Sequence, residues 1–270
     1  MKKNILASIN HHFVPYFLSM VTSLCDSNKE SEFDIYILQN NMPEEEREYV
    51  KSMFPAKAHA FFLDVDESYF KGMPKSKRWP HETFYRLMVA KLLPESVERI
   101  LYLDGDIIIH GNIDELYNTD FKGNLFVGCC QVNKFLNFFN CLRLTAFPGY
   151  KFVNAGVMLM NVKELRQVMD LDKMAKFIRR NAWRLAMLDQ DVLFKFFGNK
   201  MLLVDRYKYN LADRHITAYN KRHKKNPIDL EWVEKNNVII HYLGRNKPWK
   251  DDYKGIMKDY YKKYEIKPKN

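Results

Sequence analysis

Short apolar runs alternate with segments of helical spacing along most of this chain, and that alternation leaves few folds open. Residues 3–9 read as a short buried strand, and residues 16–24 carry apolar side chains at helical spacing with Pro15 near their start. Residues 32–38 repeat the strand pattern. Pro43, Glu44, Glu45 and Glu46 then open a helix, since proline suits the first turn and acids favour the positive end of the helix dipole. A third strand is expected at 58–63, a helix at 82–93 and a fourth strand at 100–103. This order implies a Rossmann-like parallel sheet covered by helices on both faces. The second half is less regular, with strands expected at 125–130, 157–160 and 238–241 and helices at 162–181 and 190–197. No internal repeat or low-complexity linker interrupts the chain. One catalytic domain over residues 1–250 is predicted, followed by a basic, tyrosine-rich appendage over 251–270.

Ligands of such sheets gather at the carboxyl ends of strands, and the fourth strand runs straight into Asp104-Gly105-Asp106. Two carboxylates one residue apart can converge on one cation from a loop. A glycine between them permits close approach of a ligand backbone or phosphate. Hard carboxylate oxygens suit Mg²⁺ or Mn²⁺ bridging a diphosphate. Alone, such a triplet is as readily a solvated loop. The apolar strand before it and Ile107-Ile108-Ile109 after it argue for a buried site.

The bulk numbers exclude several classes. Hydrophobic residues make up 47% of the 270, which rules out a disordered chain. No apolar stretch approaches the roughly 18 residues a membrane span needs, and the N-terminus predicts no secretory leader. Cys25, Cys129, Cys130 and Cys141 lack zinc spacing, and adjacent Cys129-Cys130 in an apolar run reads as buried thiols, which suits a reducing cytoplasm. The net charge of +10 is concentrated in residues 221–225 and after Trp249. No nucleic-acid motif accompanies either cluster, so no nucleic-acid partner is expected.

Residues 101–109, continuing through Gly111-Asn112-Ile113-Asp114-Glu115-Leu116, closely resemble the Asp-x-Asp segment of glycosyltransferase family 8. Phe84-Tyr85-Arg86-Leu87 with Leu92-Leu93-Pro94 is similar to that family's arginine-bearing helix. Residues 152–159, the Asp189-Gln190-Asp191 run and His241-Tyr242-Leu243-Gly244-Arg245-Asn246-Lys247-Pro248-Trp249 resemble its later segments, in family order. The resemblance implies a GT-A fold whose Rossmann-like sheet is mixed though mostly parallel, a retaining hexose transfer from a UDP-sugar and a glycan or glycolipid acceptor. It implies that Asp104, Asp106 and His241 hold Mn²⁺ or Mg²⁺, and that Lys247 and the Gly244 backbone meet the diphosphate. Arg86 would reach the donor sugar or phosphate, and Asn154 and Asp189 the sugar hydroxyls. Ser8, Gly105 and Ala155 join the donor-contacting set. Gln190 would lie nearest the far face of the reacting carbon. Glutamine is a poor nucleophile, which favours front-side attack within an ion pair. Taken singly, His241 reads as a strand-end histidine, Lys247 as a surface lysine, Arg86 as a surface ion pair, Asn154 as a turn residue and Asp189 as a helix N-cap.

The sequence departs from the family at the nucleotide end. Asn10, His12 and Phe13 stand where Asp, Asn and Tyr are usual. Asn10 can still read a uracil edge, having both a donor and an acceptor, and Phe13 can stack on a base. His12 can contact ribose or signal altered nucleotide preference. Residues 132–150 carry Phe135, Phe138, Phe139 and Phe147 among asparagines. They suit a segment that folds over the donor or builds the acceptor site or, equally, a core-facing amphipathic helix. Tyr253, Tyr260, Tyr261 and Tyr264 among lysines suit peripheral contact with an anionic inner membrane face. Two alternatives stay open: an impaired sugar-nucleotide-binding protein and an Asp-x-Asp phosphatase.

Overall fold

The computed structural model describes residues 2–73, 82–130 and 132–267. Nine strands occur among them: β1 (Lys2–Ser8), β2 (Glu32–Gln39), β3 (Ala58–Asp64), β4 (Arg99–Leu103), β5 (Ile107–Ile109), β6 (Phe126–Cys130), β7 (Val153–Asn161), β8 (Met201–Val204) and β9 (Ile239–His241). Seven form one sheet in the order β3-β2-β1-β4-β7-β6-β8. Strand β7 runs antiparallel to both its neighbours, whereas β1 pairs in parallel with β2 and β4, as do β2 with β3 and β6 with β8. The mostly parallel α/β architecture expected from the sequence is therefore present.

Period-two side-chain direction divides the core between the two faces of the sheet. Leu101 and Leu103 of β4 join Ile5 and Ala7 of β1 beneath the helix Val14–Ser27. Ile100 and Tyr102 join Leu6 on the opposite face, with Phe84, Leu87 and Val192. A third cluster surrounds the two-stranded ribbon of β5 and β9 and contains Leu211, Ile216, Tyr242, Met257 and Tyr261.

Several elements differ from expectation. The segment 82–93 is not one helix but Glu82–Tyr85, a tight turn at Arg86–Met88 and Val89–Leu92. Arg86 Nε donates to the Thr83 carbonyl, which a continuous helix would bond to the amide of residue 87. The helix expected at 162–181 is likewise two, because Asp170 caps a new start by accepting from the Lys173 amide at 2.8 Å. Strands β5 and β8 and the helices Asp213–Arg222 and Leu230–Asn236 gave no clear sequence signal. The helix Lys134–Leu144 buries only Cys141 and Leu144; its phenylalanines face outward, so the core-facing alternative does not hold.

The C-terminal tyrosines pack inward to different degrees. Tyr261 and Tyr264 are buried, and the Tyr253, Tyr260 and Tyr264 hydroxyls donate to Asp213, Glu234 and Asp26 at 2.6, 2.7 and 2.6 Å. Tyr261 and Tyr264 thus belong to the third core cluster, with Tyr253 and Tyr260 half-buried against it. No described helix is long and apolar enough to cross a membrane.

Candidate active site

Asp104 follows β4 and extends the face that carries Tyr102. The Arg86 guanidinium stacks 4.2 Å from the Tyr102 ring centre, donates to Asp104 Oδ1 at 3.2 Å and pairs with Asp189 Oδ2 at 3.1 Å. Its remaining arm donates to the Ala155 carbonyl at 2.6 Å. The tight turn at 86–88 thus delivers a buried arginine that ties together three separate segments. Burial opposes the Arg86 charge, but Tyr102, Asp104 and Asp189 more than offset it, so the guanidinium stays protonated. Burial likewise pushes the Asp189 carboxyl up to about 6, although Arg86 pulls it down.

Asp106 lies between Gly105 and β5, and β5 pairs antiparallel with β9 so that Ile107 faces His241. This register brings His241 Nε2 to 3.2 Å from Asp106 Oδ1 and 3.7 Å from Asp104 Oδ2. Ligand atoms of Asp104, Asp106 and His241 all lie within 4.8 Å of one another. Lys247 arrives from the turn after β9, where Gly244 takes the left-handed φ of +83°. Its ammonium pairs with Asp106 and donates to the Tyr242 carbonyl at 2.7 Å. Burial works to raise the Asp106 carboxyl, yet Lys247 and His241 hold it well below the usual carboxylate range.

The hydrogen bonds behind His241 decide which of its nitrogens is free. The Gly156 amide donates to Asn154 at 3.0 Å, which makes that Asn154 atom the carbonyl oxygen. The same oxygen accepts from Asn210 Nδ2 at 2.9 Å, so Asn210 turns Oδ1 toward His241 Nδ1, also at 2.9 Å. A neutral His241 therefore carries its proton on Nδ1 and aims the Nε2 lone pair between the two carboxylates. Two hard oxygens and one imidazole nitrogen with a fixed tautomer fit a divalent cation such as Mn²⁺. Glycine at 156 is a steric requirement, since a Cβ there would lie 2.2 Å from His241 Cε1 and 2.5 Å from Asp104 Oδ2. Gly105 is not, because a Cβ would meet only Phe13 and Phe17, at 3.5 and 3.6 Å.

A cleft of about 610 Å³ opens over this centre. It gathers Arg86, Asp104, Asp106, Asn154, Ala155, Asp189, Gln190, His241, Gly244 and Lys247, all named from the sequence. Gln190 Oε1 is buried there without a hydrogen-bond partner. Asn10 and His12 line a neighbouring recess of about 390 Å³. Sequence neighbours Glu82 and Thr83 line one each. Asn10 Nδ2 donates to Glu82 Oε1 at 2.9 Å, while its Oδ1 is buried and unpartnered. Ser8 and Phe13 line neither space: the Ser8 hydroxyl donates to the Glu82 carbonyl at 2.8 Å, and Phe13 packs edge-on against Tyr16. A recess of about 670 Å³ between Gly123 and Lys200 is larger, but it lies away from these residues and its lining repeats none of them.

Sequence reading missed Asn210, which stands in an irregular stretch and whose role depends wholly on Asn154 and His241. It also missed Thr83, Met187 and Arg214 in the lining.

A mostly parallel sheet with two carboxylates after its fourth strand, facing a histidine of β9 in a candidate cation site, has the form of a GT-A-type glycosyltransferase. A profile described as glycosyl transferase family 8 matches residues 4–253, and the chain belongs to that family. The lipopolysaccharide 1,3-galactosyltransferase of Salmonella typhimurium is 27% identical over 258 residues, 92% of this chain and 73% of that protein. An Escherichia coli lipopolysaccharide 1,2-glucosyltransferase is 26% identical over 254 residues, 92% of this chain and 74% of its own length. Among solved structures, the galactosyltransferase LgtC in complex with donor and acceptor sugar analogues superposes with a TM-score of 0.80 at 21% identity, covering 97% of this chain and 94% of that one. The glycosyltransferase GlyE of Streptococcus pneumoniae gives 0.74 at 19% identity, covering 99% of this chain and 61% of GlyE. Membership in a glycosyltransferase family displaces the phosphatase alternative.

Proposed function

We propose that the chain transfers a hexose, glucose or galactose, from a UDP-sugar to a hydroxyl of a cell-envelope glycan or glycolipid, with retention at the anomeric carbon. The observation that carries this reading is His241 Nε2, fixed in tautomer by Asn210, aimed at Asp104 and Asp106 beside Lys247. A cation bound there, Mn²⁺ or Mg²⁺, supplies charge neutralisation for the departing diphosphate. Lys247 is positioned to exchange its contact with Asp106 for a phosphate oxygen. Asn154, Asp189 and Arg86 line the floor on which the sugar would rest.

The family resemblance implies retention, and what the floor lacks bears on how retention is achieved. Asp189 is the carboxylate beside Gln190 in the cleft, and Arg86 holds it at 3.1 Å within a buried pair. Gln190 cannot form a glycosyl ester. We therefore favour front-side attack. The acceptor oxygen bonds to the anomeric carbon as the bond to phosphate breaks, and the leaving phosphate oxygen takes the acceptor's proton. The free Gln190 Oε1 stabilises the oxocarbenium-like charge. The base would enter the neighbouring recess, where Asn10 Oδ1 offers an unused acceptor to the uracil N–H. We place the reaction in the cytoplasm, where the four free cysteines stay reduced.

The test is UDP release from a panel of UDP-sugars with Mn²⁺, comparing the native chain with Asp106→Ala. Turnover that survives the substitution unchanged removes the central claim. An inverted product anomer removes the front-side mechanism alone. Calorimetry in which GDP binds as tightly as UDP removes the role given to Asn10.

A further inference from the structure

The helix Lys134–Leu144 is built to be exposed. Asn133 caps its start by accepting from the Leu136 amide at 2.9 Å, and Thr145 closes its end in the left-handed region with φ +51°. Between these stops the chain buries only one edge, Cys141 and Leu144, against Phe152 and Phe194. The other faces carry Phe135, Phe138, Phe139 and Leu142, and Phe147 follows; Phe135 and Phe147 are 69% and 71% exposed. Trp183, 85% exposed, precedes Arg184, which donates to the Arg143 carbonyl and to Thr145 Oγ1 at the end of the same helix. Scattered exposed apolar residues need no explanation, but a contiguous aromatic patch does.

The segments that form the patch carry charge of one sign. No Asp or Glu occurs between Asp120 and Glu164, nor between Asp172 and Asp189. Lys134 and Arg143 belong to the helix itself, and Arg184 bonds to its C-terminal end. The acid that Arg143 meets, Asp191, is buried and bonded by both arms of the guanidinium at 2.9 and 2.6 Å. Exposed aromatic side chains on a segment with cations and no acid match an anionic lipid surface: rings enter the headgroup boundary and basic groups meet phosphate. A second copy of the chain would bring two basic rims together, which disfavours self-association.

We propose that this patch, and not the C-terminal tyrosines, seats the protein on an anionic lipid bilayer. The edge buried beneath it packs with Met187, which also lines the cleft. Docking would therefore bring the cleft next to the membrane, where a lipid-carried acceptor lies. That last step rests on the proposed function; the docking itself does not.

Vesicle flotation separates the two. The native chain should float with vesicles containing phosphatidylglycerol and remain below with phosphatidylcholine alone. Salt should weaken the binding, and Trp183 emission should shift to the blue. Phe135→Ser with Phe139→Ser should lower partitioning by about tenfold or more, while the thermal transition is kept because both rings are exposed. Lys262→Ser with Lys263→Ser on the C-terminal helix should change it less than about twofold. The proposal fails if the native chain does not float at low salt, or if the double phenylalanine variant floats as well as native. It fails equally if only the lysine variant is impaired, or if the native chain sediments as a dimer that the phenylalanine variant dissociates.

Discussion

The two ends of the proposed donor groove, one assigned to the diphosphate and one to the nucleotide, are built differently. At the diphosphate end, Asp104, Asp106, His241, Arg86, Asn154, Asn210 and Lys247 each hold one another, and Gly156 leaves no space between them. At the nucleotide end, Asn10 makes one bond to Glu82 and leaves its carbonyl unused, and Phe13 is turned away. An interlocked network transmits any change through its length, whereas an open recess absorbs it. Substitutions at the first end should therefore cost turnover, and those at the second should mainly cost donor affinity.

The largest effect is expected from Asp106→Ala. It removes a proposed cation ligand and the carboxylate that Lys247 and His241 face, so turnover should fall by about a thousandfold or more. Retention of even a tenth of native activity would mean that the diphosphate end is not the rate-determining part. Gly156→Ala should follow, with a loss of about a hundredfold and weaker Mn²⁺ binding, because its methyl group would overlap His241. Mn²⁺ titration by calorimetry distinguishes this from simple unfolding. Asn210→Ala touches no substrate, but it frees the His241 ring to rotate or change tautomer. Metal affinity should drop by about 10- to 100-fold, while the KM for donor at saturating Mn²⁺ stays near native.

At the other end, Asn10→Asp tests why this chain departs from the usual aspartate. Glu82 already accepts from the Asn10 amide, so a second carboxylate would face the first at hydrogen-bond distance. A rise in KM of about tenfold with little change in kcat is expected, and Asn10→Asp with Glu82→Gln should recover most of it. A tighter donor complex in the single variant would show that Glu82 is not the reason for the asparagine.

The smallest effect concerns pH. The native Asp189 carboxyl, raised to about 6 by burial, takes up its proton before the unfolded chain does, whose aspartates wait until about 3.9. Stability linked to this group is thus greatest at low pH and is lost as pH rises through about 6. In chelator, the native urea midpoint should fall relative to that of Asp189→Asn between pH 5 and pH 7. Parallel midpoints across that range would mean that Arg86 neutralises Asp189 fully.

Much of the fold was legible because its strands are short, apolar and regularly spaced, and because β4 ends directly on Asp104. The elements that escaped are those whose stability is borrowed. Strand β5 has three residues and exists through pairing with β9, some 130 positions later. The broken helix at 82–93 follows from the Arg86 side chain competing for a carbonyl. The outward phenylalanines escaped for another reason: helical spacing places a stripe on one side of a helix but says nothing about which side meets the domain.

The sequence by itself determined the chemistry on offer: two carboxylates at a strand end, an imidazole, an arginine and a lysine in ordered motifs. Only the tertiary structure decided what that chemistry is arranged to do. Convergence of residues 86, 104, 106, 189, 241 and 247 depends on non-local strand pairing. The free nitrogen of His241 depends on a chain of hydrogen bonds from Gly156 through Asn154 and Asn210. Residue type sets which atoms can bond; direction is set by partners far away in the chain, and no local pattern carries that information.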